Sequence, residues 1–67
     1  MINHEIMSSY VYDKGEKYGW IRLVQVNAKY RVELHILGVS GPVDIRDCVD
    51  YYNALNVYTI FNNKYNH

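Results

Sequence analysis

The sequence predicts an α+β domain: a three- to four-stranded antiparallel sheet with one helix packed on one face, in the order β-β-β-α-β. Three observations carry that expectation. Tyr30, Val32, Leu34 and Ile36 alternate with Arg31, Glu33 and His35, the period-two pattern of a half-buried strand. Turn formers at Asp13 to Glu16 and again at Gly38 to Pro42 cut the chain into short segments. Beyond them Ile45, Cys48, Val49, Tyr52 and Leu55 recur at the spacing of one helical face.

Ile6 to Tyr12 is expected to form the first strand, with Tyr10 and Tyr12 on one side and Met7 and Val11 on the other. The turn DKGE returns the chain at Tyr18 as a hairpin. The second and third strands lie in YGWIRLVQVNAKYRVELHIL, around a turn at Asn27 to Lys29 that lacks the usual Asn-Gly pair. Asp44 is a candidate helix cap, with Asp47 three residues on, and both suit the positive end of a helix dipole. Asn56 is the expected stop. The run VYTIF, Val57 to Phe61, is rich in β-branched and aromatic residues and reads as a final strand, with a longer C-terminal helix as the alternative. The 67 residues make one domain, ending in a polar tail from about residue 62.

Hairpin parity decides what the sheet shows to solvent. A two-residue turn pairs Val26 with Lys29, Arg22 with Glu33 and Trp20 with His35, and it buries Ile21 and Leu23 with Val32, Leu34 and Ile36. A three-residue turn inverts the second strand and forces Arg22 into the core opposite Leu34. Burying an unpaired guanidinium costs several kcal/mol, about enough to cancel the stability of a small domain. The two-residue register is therefore the expected one. It gathers Trp20, Arg22, Val24, Arg31, Glu33 and His35 on one face, bordered by Tyr10 or Tyr12. Trp, Tyr and Arg are the residues that dominate binding hot spots, so this is the candidate interaction surface.

Other chemistry is poorly supplied. One cysteine excludes an intramolecular disulfide and fits a reducing cytoplasm, and Cys48 reads as a small buried hydrophobe on its apolar stripe. His4, His35, His67 and Cys48 do not stand at metal-ligand spacing, and Asp44, Asp47 and Asp50 read as cap and solvated face. No nucleophile and base are paired, and no phosphate loop follows Gly38 or Gly41. The expectation is a non-catalytic protein without cofactor or metal. Met1 to Tyr10 lacks the pattern of a signal peptide, and no stretch approaches the ~18 apolar residues of a membrane helix.

Seven basic and seven acidic residues cancel overall. Their placement is uneven: Lys14, Lys17, Arg22, Lys29 and Arg31 against Glu16 leave the hairpin segment at +4, and Asp44, Asp47 and Asp50 against Arg46 leave the next at −2. Such a split suits steering toward a partner. A core this small also gains from support by a homodimer or another protein. Eight tyrosines and seven asparagines suggest an AT-rich coding sequence of the phage or mobile-element kind. The leading expectation is thus a protein-binding inhibitor or regulator of host-takeover or anti-defence type. The alternatives are a structural homodimer and a sheet-based DNA or RNA binder. For the last, three strands followed by a helix and the stretch WIRLVQVNAKYRV are similar to the AP2-like and integrase-arm domains. That resemblance implies DNA reading through Trp20, Arg22, Lys29 and Arg31, although Asn27-Ala28 stands where those domains carry a glycine turn and the helix here is acidic.

Overall fold

In a computed structural model, which describes residues 3–67, the chain runs through β1 (Asn3–Asp13), β2 (Glu16–Val26), β3 (Lys29–Ile36), β4 (Asp44–Cys48) and α1 (Tyr51–Tyr65). The strands form an antiparallel sheet in the order β1-β2-β3-β4. The helix lies across one face. The α+β class with one helix on an antiparallel sheet is as the sequence predicts. Its order, β-β-β-β-α, is not.

Both hairpins close through two residues. Lys14 and Gly15 take φ of 53° and 81°, the left-handed pair that matches strand twist, and Gly15 adopts it without steric cost. At the second turn Asn27 takes φ 58°, a conformation asparagine tolerates better than most residues. Val26 accordingly faces Lys29, Arg22 faces Glu33 and Trp20 faces His35. The expected parity holds along all of β2 and β3.

The expected helix start is instead β4. Read with period two, Asp44, Arg46 and Cys48 stand on the helix side and Ile45 and Asp47 on the other, so Cys48 enters the core and Ile45 stays 44% exposed. The apolar spacing of Ile45 and Cys48 is therefore no helical stripe. The cap lies six residues later than Asp44: the Asp50 side chain accepts from the Asn53 N–H at 2.8 Å. Val57 to Phe61, expected as a strand, is the middle of α1. Ala54, Val57 and Phe61 are buried along it, with Tyr58 and Tyr65 half-buried beside them. Spacings of three and four override the β preference of the individual residues, because a helix there can cover the open face of the sheet.

Val11, Ile21, Leu23, Val32, Leu34 and Cys48 meet that helical stripe to form the core. A bulge in the β1-β2 ladder leaves Tyr18 unpaired and turns it to the helix side, where its hydroxyl donates to the Tyr65 carbonyl. The Tyr65 hydroxyl in turn donates to Asp44, and that bond together with burial pushes the phenol up to about 12. Residues expected as a polar tail from about 62 are tied down. Asn62 accepts from Ser9 at 2.9 Å within the last turn of α1, while His67 donates to the Tyr12 carbonyl at 2.9 Å and so lies along the free edge of β1. Among the described residues no helix is long and apolar enough to cross a membrane.

Candidate functional site: the outer face of the sheet

The face turned away from α1 is assembled from all four strands. Cross-strand pairing aligns Tyr10 with Trp20 and His35, then Ser8 with Arg22, Glu33 and Ile45, then Glu5 with Val24, Arg31 and Asp47. All six residues expected on a common face are on it. They do not share one environment.

Glu33 is the anchor. It is only 5% exposed on the face without a helix, because its neighbours close over it. Arg22 Nε and His35 Nε2 both lie 2.8 Å from its Oε1. An ionised carboxylate only accepts, so the imidazole nitrogen is the donor. Burial by itself would raise the Glu33 carboxyl; the hydrogen bonds from His35 and Arg22, with the charge of the guanidinium, outweigh it and hold the group below its ordinary range. Glu5 adds a second carboxylate 3.7 Å from Arg22 Nη1.

Because the folded state holds Glu33 ionised more tightly than the unfolded chain does, its contribution is present above the ordinary carboxylate range and is lost as pH falls through the depressed folded-state value. Urea midpoints are expected to fall between neutral and acid pH. In Glu33→Gln the acid-side slope is expected to flatten, and an unchanged slope would show that Glu33 is not the group responsible.

His35, fixed from below by Glu33, stacks on Trp20 with ring centroids 4.9 Å apart and planes 4° from parallel. Trp20 is half-buried, with one ring face on imidazole. Beside it a shallow groove of about 460 Å³ is lined by Glu5, Ser8, Tyr10, Lys17, Trp20 and Leu37. Tyr10 and Leu37 are 54% and 49% exposed. The Lys17 ammonium sits 4.1 Å from the centre of the Tyr10 ring.

Two expected surface residues are in fact buried. Val24 has no exposure, being flanked across the strands by the longer side chains of Glu5 and Arg31, and Glu33 supports the surface from beneath. Arg31 is occupied by Asp47 at 2.8 Å, a bond that raises its already high pKa. Glu5, Lys17, Leu37, Ile45 and Asp47 were not foreseen as members of this face. The first two depend on the β1-β2 register and its bulges, and the last two on β4 being a strand. Cys48 is buried as expected, and burial pushes its thiol up. Among the described residues no three His, Cys, Asp or Glu side chains converge as metal ligands. No protein-family profile, curated protein or solved structure matches this chain.

Proposed function

We infer that the chain is a small non-catalytic binding protein, of the inhibitor or regulator type, which engages another protein through the outer face of its sheet. The observation that carries this reading is the Trp20–His35 stack standing beside the groove walled by Tyr10 and Leu37. A tryptophan already oriented by a stack, and an imidazole already oriented by a buried carboxylate, lose little further freedom on binding. The groove brings the exposed apolar groups of Tyr10 and Leu37 together with the charges of Glu5 and Lys17, a mixture of aromatic, aliphatic and charged contacts that suits a protein partner. Arg22 and Arg31 already have carboxylate partners, which favours a protein over a phosphate backbone as the occupant.

The test is affinity capture from cells of the source organism with the wild-type chain and with Tyr10→Ala/Trp20→Ala. Any specific partner is expected to be retained by the first and lost by the second, with affinity reduced roughly 30-fold or more, as for hot-spot aromatics. Circular dichroism should show both chains folded. A folded double variant that holds the partner as tightly as wild type would overturn the proposal.

A further inference from the structure

β4 is the other terminal strand of the sheet, and unlike β1 it has no segment laid along its outer edge among the described residues. We propose that this edge pairs antiparallel with the same edge of a second copy of the chain, with Ile45 on the two-fold axis, making one continuous sheet with four strands from each copy.

An uncovered edge is a template for pairing, and charged side chains usually blunt it. In β4 the charges do something more selective. A two-fold axis normal to the sheet keeps outward residues opposite outward residues, so only registers of one parity are open. With Ile45 opposite itself, Asp44 faces Arg46 of the second copy and Arg46 faces its Asp44, two opposite-charge pairs on the helix side. Ile45, 44% exposed, then meets itself in the seam, and Val43, 50% exposed, lies opposite Asp47 of the second copy. One step along, Arg46 opposes itself. A further step sets Asp47 against itself, and the step in the other direction sets Asp44 against itself. Like charges directly opposite are destabilising, so the sequence DIRD admits one register and rejects its neighbours.

Arg46 supports the assignment independently. Arg22 and Arg31 each have a carboxylate within salt-bridge distance, whereas Arg46 is exposed and has none among the described residues. The proposed pairing supplies its counter-charge. It also sets the two Trp20 faces on the same side of the joined sheet, five strand spacings or about 24 Å apart across the strands. The dimer would present two binding surfaces at a fixed distance.

Sedimentation of the full-length chain over a concentration series tests this. Wild type is expected to dimerise; Arg46→Asp turns both cross-strand pairs repulsive and is expected to weaken association about tenfold or more. The swap Asp44→Arg/Arg46→Asp restores opposite charges and is expected to recover most of the loss. Because the swap also removes the acceptor of Tyr65, a second assay stands beside it. In a Cys48→Ser background, Ile45→Cys should form an intermolecular disulfide under mild oxidation, since a residue on the axis meets itself at bonding distance, and Asp47→Cys should not. A wild-type chain monomeric up to about 1 mM, a dimer indifferent to Arg46→Asp, or equal cross-linking at positions 45 and 47 would each overturn the proposal.

Discussion

Replacing Gly19 with alanine is expected to cost about 3 kcal/mol, or roughly 12 to 24 °C in thermal midpoint for a domain of this size. A Cβ built on Gly19 would stand 2.2 Å from the His35 carbonyl oxygen and 3.3 Å from the Ile36 Cα. Both are backbone atoms of β3, so no rotamer change can make room. The strands must part, and they part at the end of the hairpin that holds His35 against Glu33 and Trp20. A melt followed by circular dichroism measures the stability cost, and loss of the characteristic near-ultraviolet signal of the lone tryptophan reports the stack. A midpoint within a few degrees of wild type would mean that β2 and β3 are not this close at Gly19.

Phe61→Ala is expected to be at least as damaging, at about 3 to 5 kcal/mol. The ring is 3% exposed, packs edge-on to Tyr65 at 5.7 Å and fills the space between α1 and the sheet. A core of this size contributes only about 3 to 5 kcal/mol in all, so the variant should be largely unfolded at 25 °C. Its neighbour Ile60, a quarter-turn or so around the helix, is 59% exposed. Ile60→Ala should therefore change stability by no more than about 0.5 kcal/mol, helped by the better helix propensity of alanine. Chemical denaturation of the pair separates the two positions. Equal costs at 60 and 61 would contradict the packing of α1.

What could be read from the sequence was whatever one strong pattern determined by itself. The clean alternation of β3 and the penalty for burying Arg22 together gave the β2-β3 register and the six residues that these two strands place on the outer face. The second half of the chain resisted because its local preferences compete with its tertiary role. Ile45 and Cys48 mimic a helical stripe although they lie on opposite faces of a strand, and Val57 to Phe61 prefer a strand although their covering role makes them a helix. The decisive local signal was Asp50 with Asn53 three residues on, overshadowed by the similar pair at Asp44 and Asp47. Exposure was harder still. That Glu33 and Val24 are buried on the solvent side depends on long neighbours from two other strands, and periodicity carries no information about that.

The proposed partner surface is the Trp20 face and not the helix. Hydroxyl-radical footprinting of the chain alone and in complex tests it most directly, because both sides carry reactive and exposed aromatic or aliphatic residues. Tyr10, Trp20 and Leu37 are expected to become protected in the complex while Tyr52 and Ile60 react as before. Protection of Tyr52 and Ile60 with unchanged labelling of Tyr10 and Trp20 would contradict the claim and move the binding surface to the helix.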